Sequence, residues 1–338
     1  MSQPTTVKIL IDDRLRLMAA ALAATDFMEK AQARKRHHAH VNARTTVTFM
    51  REKELTTHPA IVSLQSMLDN GMPIEALFAL AMYFQWPELK VPQLPDWVPA
   101  GWNEQLWDFY HKAELANHWQ STAKSWADTR TESERVFGGK MQVHFKELLE
   151  QFVGEIKEEF VFAPNLLLPA DREVGIRVGN QLISIVPPPL AWGESRPWPY
   201  DEETRLAEHT YPMALSQYAR LLMLTYLREN ADKLGDATEK DLPISDELKV
   251  QYPTWEDQFL ALFKSAVVAI YLEDYMNPTE AKGFMLMEKR VRKMTELPGT
   301  VSVLRRFLQE KGNRYDTLAE FLSVFPTQLR VAKKIVTM

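Results

Sequence analysis

The chain has 338 residues, of which 46% are hydrophobic and 25% charged, and its 40 basic and 45 acidic residues give a net charge of −5. This balance argues against nucleic acid or an anionic membrane as a partner, and the absence of cysteine excludes a disulfide scaffold, a cysteine-ligated zinc and a thiol nucleophile. Because no run reaches the roughly 18 apolar residues of a membrane span and no secretion signal is recognisable, we expect a cytoplasmic protein.

The first 85 residues predict one short strand and several helices. Residues 6–11 alternate as in a strand, and Asp12 and Asp13 then precede an apolar helix, with acidic side chains at its positive end. Residues 59–70 and 73–85 show further helical patterns.

A basic, histidine-rich segment follows the first helix. His37, His38 and His40 carry imidazoles that suit a transition metal, but Arg34 and Arg36 beside them create a positive potential that opposes a cation. The composition therefore favours a solvated basic segment or a patch that binds an anion or a partner.

A passage rich in Pro and Trp, residues 86–102, is the best internal boundary in the chain. It predicts an N-terminal strand plus helical region, 1–100, and a helical and sheet region, 101–338. One compact unit is the alternative. From 103 to 153 the pattern is helical again, with a break at Gly138 and Gly139.

Three strands are predicted in the middle of the chain, at 159–163, 174–178 and 181–186, with Gly179 and Asn180 as a hairpin turn between the last two. A helix at 201–230 and others at 254–273, 279–294, 298–311 and 315–325 follow. The expected fold class is α+β, predominantly α-helical, with a small antiparallel sheet packed against the helix at 201–230.

One polar helix face was considered as a metal site. His111, Glu114 and His118 are spaced by three and four residues, so they share a face of the helix that also carries Asp108. Di-iron bundles use paired Glu-x-x-His motifs, whereas the order here is reversed and has no second copy. The polar side of an amphipathic helix is the favoured interpretation.

The segment Ala207-Glu208-His209-Thr210-Tyr211 stands where a zinc peptidase helix carries His-Glu-x-x-His. Together with the order of the predicted elements, this segment resembles an uncharacterised bacterial family of zincin-like proteins of the gluzincin class. Shorter landmarks agree with the resemblance, namely Asp12 to Leu17, Asp108 to Tyr110, Asn165, Gly175, Thr254 to Asp257 and Tyr315 to Phe321.

The resemblance implies a metallopeptidase scaffold that has lost its metal. Glu208 matches the general-base position, but Ala207 and Tyr211 replace the two histidine ligands, and residues 259–266 offer no carboxylate as a third ligand. Catalytic zinc typically has three protein ligands, and a general base without the metal has no activated water to deprotonate. We therefore expect no metal, no other cofactor and no catalytic residue, with Glu208, His209 and Tyr211 as vestiges.

The favoured function is that of a pseudo-metallopeptidase that binds a peptide or protein partner through the former cleft. Trp192, Trp198 and Tyr200 are the candidate anchors because they lie in an unusual Pro- and Trp-rich loop just before the motif. The strand at 174–178 or 181–186 would pair with an extended partner through main-chain hydrogen bonds.

Two alternatives stay open. The chain could be an active metal-dependent hydrolase that uses His209 with a carboxylate from Asp201, Glu202 or Glu203. It could also be a helical structural subunit of a larger assembly, with its aromatic residues at the interface. The sequence leaves the oligomeric state undetermined.

Overall fold

The computed structural model describes residues 6–32, 41–138, 144–169, 172–187 and 204–336. The chain divides into two compact units. We call Thr6–Met141 with Glu159–Thr210 the sheet unit. We call Met1–Thr5 with Gln142–Glu158 and Tyr211–Met338 the helical unit. Residues 86–102 lie inside the sheet unit, and the division at residue 100 stays a prediction.

Four strands are described, β1 (Val7–Ile9), β2 (Glu159–Pro164), β3 (Val174–Val178) and β4 (Gln181–Val186). The helices of the first half are α1 (Asp13–Ala23), α2 (Phe27–Gln32), α3 (Val41–Glu52), α4 (Pro59–Asp69), α5 (Ile74–Tyr83), α6 (Trp102–Lys112), α7 (Leu115–Ser121) and α8 (Ala123–Gly138). The later helices are α9 (Phe145–Val153), α10 (Thr204–Glu229), α11 (Gly235–Thr238), α12 (Asp246–Gln251), α13 (Trp255–Tyr271), α14 (Pro278–Val291), α15 (Leu297–Glu310), α16 (Leu318–Leu322) and α17 (Phe325–Val336). This predominantly helical α+β fold confirms the predicted class.

The sheet is mixed, so the prediction of an antiparallel sheet was wrong. Its strand order is β1-β2-β4-β3, in which β1 and β4 both run parallel to β2 and only the β3–β4 pair is antiparallel. Parallel neighbours need a long crossover connection, and the helices between β1 and β2 provide one. The packing of this sheet against the helix at 201–230 stays a prediction.

Local signals placed two element boundaries correctly. Asp12 caps α1, because its Oδ1 accepts a hydrogen bond of 2.8 Å from the backbone N–H of Arg14. The β3–β4 hairpin turns at Gly179 with a φ of +54°, a left-handed conformation that glycine adopts without steric cost. Both boundaries depend on neighbours in the sequence, which explains why the pattern was sufficient.

Helix α1 is the centre of the sheet unit. All its residues from Leu17 to Ala23 are buried. Four of these seven residues are alanines, whose short side chains allow α3, α4 and α5 to pack closely around the helix. Arg14 joins α1 to the end of α5, since its Nη1 donates to the carbonyl oxygens of Met82 at 2.8 Å and Phe84 at 3.2 Å. Helix α5 then packs on β3, while α8 packs on β1 and β2.

Helix α13 is the centre of the helical unit, where it contacts α9, α14 and α15. Thr254 caps it by accepting a hydrogen bond from the N–H of Asp257 at 3.1 Å. Phe263 on α13 meets Phe152 of α9 edge-on with 5.3 Å between ring centroids. Aromatic packing of this kind, extended through α15 and α17, forms the core of the unit.

Replacing Ile183 by alanine tests the centre of the sheet. Ile183 is fully buried on β4 between Val161 of β2 and Ile176 of β3, so Ile183→Ala should lower the free energy of unfolding by about 2–5 kcal/mol. The control Val62→Ala, at a site that is 56% exposed, should change it by less than about 0.5 kcal/mol in the same urea titration. Equal effects of the two substitutions would contradict this account of the core.

Candidate functional site

The backbone of the zinc-motif segment is helical, as expected. It lies in the first turns of α10, a helix of 26 residues that continues through Pro212. Because proline has no N–H, the helix cannot make its usual hydrogen bond to the carbonyl of Glu208. The side chains of Ala207, Glu208 and His209 lie outside the described residues, so Thr210, which is 1% exposed, and Tyr211 are the motif positions whose side chains are described.

Tyr211 is a core residue. Its side chain is 1% exposed, and its ring lies edge-on to Phe145 of α9 and to Tyr271 of α13, with centroids 5.7 Å and 6.3 Å away. Tyr218 lies about two turns further along α10 and is also fully buried. Its ring centroid is 6.1 Å from that of Phe145. The position at which the resembling family has its second histidine ligand is therefore filled by an aromatic side chain that packs the helical unit.

The polar groups near this aromatic cluster are paired with one another. His144 stacks on Tyr275 with 4.7 Å between centroids, and its Nδ1 lies 2.8 Å from Oε2 of Glu147. Tyr275 belongs to a π-helical turn, Leu272–Met276, that follows α13. The acidic residues of that turn, Glu273 and Asp274, both accept hydrogen bonds from Arg305, at 2.7 Å and 2.6 Å. Across the described ranges, no group of three or more His, Asp or Glu side chains could hold a metal ion.

The middle of α13, where the third zinc ligand was sought, faces a carboxylate from another helix. Ser265 Oγ donates a hydrogen bond of 3.2 Å to Oε2 of Glu288 on α14. Glu288 is 7% exposed, and Arg292 compensates its charge with Nη1 at 3.3 Å. Oε2 of this buried acid accepts from both partners within the helical unit, and the bond from Ser265 joins α14 to α13.

The polar face of α6 and α7 does not converge on one point. Asp108 bonds to His58 at 3.1 Å and to Lys112 at 2.8 Å, whereas Glu114 pairs with Lys53. His118 stacks on Phe49 with centroids 4.2 Å apart. Burial and the nearby cations Arg16 and Lys53 lower the pKa of His118. The interpretation of these side chains as an amphipathic helix face agrees with their separate partners.

The landmarks of the resemblance outside α10 have structural roles. Asn165 follows β2 and is 2% exposed, and its Oδ1 accepts from the N–H of Leu167 at 3.0 Å. Its Nδ2 lies 3.5 Å from the carbonyl of Leu15, which ties the end of β2 to α1.

Strand β4 pairs with a strand on each side, so of the two strands proposed for partner binding only β3 lies at a sheet edge.

Most of the other sequence candidates fall outside the described residues. The proposed anchors Trp192, Trp198 and Tyr200 lie there, as do the alternative carboxylates Asp201, Glu202 and Glu203 and the basic cluster of His37, His38 and His40.

Helix α14 presents an apolar surface that the sequence interpretation missed. Leu286, Met287 and Val291 are 48%, 51% and 47% exposed. Gly283 lies on the same outward side, since a Cβ built there meets no atom within 4 Å. We call Gly283, Leu286, Met287, Arg290 and Val291 the α14 face. The signal was present, because the apolar run from Phe284 to Met287 covers more than one face of a helix and cannot be buried entirely.

Basic side chains surround the α14 face. Residues 278–293 contain five Lys or Arg (282, 289, 290, 292 and 293) against two Glu (280 and 288). Lys282, Lys289 and Arg290 are exposed, and no ion pair to another described residue holds them, whereas Arg292 is used to compensate Glu288. The surface is thus both apolar and positively charged, in a chain that is acidic overall.

Comparison of the chain with protein-family models, with curated proteins and with solved structures gives no match. Among the described helices, none is long and apolar enough to cross a membrane.

Alkaline titration tests the buried tyrosine cluster. Burial raises the pKa of Tyr218 well above its ordinary value, and burial followed by the proximity of Tyr211 raises the pKa of Tyr271. The resulting stabilisation is complete below the unfolded pKa of about 10 and is lost as the pH rises towards the folded values. Tyr271→Phe should therefore reduce the loss of thermal stability between about pH 10 and 12.

The matched control for this titration is Tyr83→Phe, because Tyr83 is 59% exposed. Absorbance near 295 nm should show the Tyr271 phenol ionising only on unfolding. Ionisation of the Tyr271 phenol in the folded protein at ordinary alkaline pH would contradict the burial described above.

Proposed function

We propose that this protein acts by binding an acidic, amphipathic segment of a protein partner, without catalysis, and that the α14 face is the docking surface. The proposal depends on one observation: Leu286, Met287 and Val291 are exposed side by side on one helix, among basic side chains. Contiguous exposed apolar patches rimmed by polar residues are typical of protein interaction sites.

The chemistry of the α14 face specifies the partner. Viewed down the helix axis, Leu286 lies on one side of Gly283 and Arg290, and Met287 lies on the other. The cation of Arg290 is therefore flanked by apolar side chains. A partner helix with apolar residues three and four apart would cover these apolar side chains, and flanking carboxylates would pair with Lys282, Lys289 and Arg290. A basic partner would meet like charge, which is how such a surface discriminates between partners.

The absence of catalysis is supported by the motif itself. Ala207 has no metal-binding atom, and the ring of Tyr211 is buried between α9 and α13. A metal-binding histidine at position 211 would need an open cleft in place of this aromatic packing. The proposal therefore keeps the partner binding expected from the sequence and moves it from the former cleft to α14.

Binding of synthetic helical peptides tests the docking surface. A peptide with leucine along one face and glutamate beside it should bind the full chain in fluorescence anisotropy, while its lysine counterpart should not. The double substitution Leu286→Ser/Met287→Ser should weaken binding at least about tenfold, since apolar anchors carry most interface energy. Arg290→Glu should act similarly, and raising the salt concentration should weaken binding of the acidic peptide.

The control for these variants is Val250→Ser, which removes a more exposed apolar side chain, 85% exposed, from α12. It should leave peptide binding unchanged. Equal binding of the acidic and basic peptides, or equal loss in the control and the α14 variants, would refute the proposal. Self-association abolished by Met287→Ser, seen in sedimentation without peptide binding, would show that the surface joins copies of this chain and would refute the acidic partner.

Metal analysis tests the non-catalytic part of the proposal. Purified protein should contain well below one zinc per chain, and a chelator should leave the melting temperature unchanged, because structural or catalytic metals stabilise the fold that binds them. One zinc per chain that His209→Ala removes would instead favour the active hydrolase.

A further inference from the structure

Arg16 in the sheet unit is a mostly buried arginine between two indole rings. Its side chain is 12% exposed, and Cζ lies 4.3 Å from the ring centroid of Trp119 and 4.5 Å from that of Trp126. Both rings attract the guanidinium through cation–π interaction. The inference below is independent of the proposed function.

One edge of the guanidinium is in use and the other is not. Nη1 donates to Oδ1 of Asp13 at 2.9 Å. Nε and Nη2, which lie together on the opposite edge, are buried and have no hydrogen-bond partner within the ranges of the chain that the structure describes. The indole Nε1 of Trp119 is also buried and unpaired there. Buried donors nearly always have partners in folded proteins, so three in one cluster indicate a site for an acceptor.

The geometry of the free edge selects the acceptor. Nε–H and Nη2–H of arginine are parallel donors whose spacing matches the two oxygens of a carboxylate. Burial lowers the pKa of Arg16, and the opposing effect of Asp13 is smaller, so the cation is incompletely compensated. A monoanion meets this requirement, whereas a phosphate dianion would bring more charge than a single, already paired arginine can balance.

The surroundings select the rest of the ligand. Trp119 belongs to an aromatic cluster with Tyr110, 5.5 Å away, and Trp86, 6.1 Å away between ring centroids. Tyr110 in turn stacks on Trp107 at 5.5 Å. These rings pack against one another, so the surroundings of Arg16 are aromatic and apolar and favour a carboxylate with a planar, apolar body.

The geometry points to a binding site for a small aromatic carboxylate, in which the Nε–Nη2 edge of Arg16 and Nε1 of Trp119 hold the carboxylate and the neighbouring aromatic rings contact the body. Because the donor atoms are covered, the ligand enters when an aromatic side chain rotates aside. Binding beside Trp119 changes the environment of that indole.

Calorimetry and tryptophan fluorescence with benzoate test this site in the full chain. Benzoate should bind and raise the melting temperature, and benzamide, which has nearly the same shape without the charge, should bind at least about tenfold more weakly. Acetate should bind more weakly than benzoate because it lacks the apolar body, and inorganic phosphate should not bind. Equal responses to benzoate and benzamide would overturn the proposal.

Two variants locate the binding at Arg16. Arg16→Lys keeps the charge and loses the paired donors, so benzoate affinity should fall at least about tenfold. Trp119→Phe keeps an aromatic ring and removes one donor, so affinity should fall several-fold even if Arg16→Lys fails to fold. The control Arg130→Lys, at an exposed pair with Glu134, should change nothing. If Trp119→Phe leaves benzoate binding unchanged, benzoate binds elsewhere on the protein, and the proposed site is refuted.

Discussion

A carboxylate removed from water needs a compensating charge and hydrogen bonds, and Glu288 shows how this requirement organises the helical unit. Ser265 on α13 and Arg292, one turn along α14, satisfy it together. This arrangement fixes which side of α14 faces the core. Leu286 and Met287, two and one residues before Glu288, are consequently turned towards solvent. The apolar surface on which the proposed function depends is thus a by-product of satisfying one buried acid.

The same requirement for hydrogen bonds and a compensating charge applies to Arg16 in the sheet unit. Glu288 has its partners within the protein, whereas two of the donor nitrogens of Arg16 have none among the described residues. Both side chains are charged and mostly buried, and they differ in whether other described residues provide their hydrogen-bond partners. An incomplete buried group of this kind is costly to keep, which is why it indicates a ligand more strongly than an exposed arginine would.

Features that depend on near neighbours in the chain were predictable from the sequence. The capping of α1 by Asp12 and the hairpin at Gly179 are of this kind. The parallel pairing of β1 with β2 was not, because nothing near Val7 specifies a partner at Phe160. The surroundings of Tyr211 escaped prediction for the same reason, since Phe145 and Tyr271 come from distant helices. The motif identified a helix correctly, but the use of its side chains is decided by the tertiary packing.

The pairing of β1 with β2 has a consequence for biosynthesis. Lys8 and Glu159, which form an ion pair across these strands, are 151 residues apart. Since the ribosome makes β1 before β2, β1 cannot pair with β2 until the residues between them have been made. Helices α1 to α8 can gather during this interval through contacts close in sequence, and the sheet closes after them. The nascent protein therefore carries β1 without its partner β2 while the intervening residues are made, and this is the stage at which a chaperone would have a segment to hold.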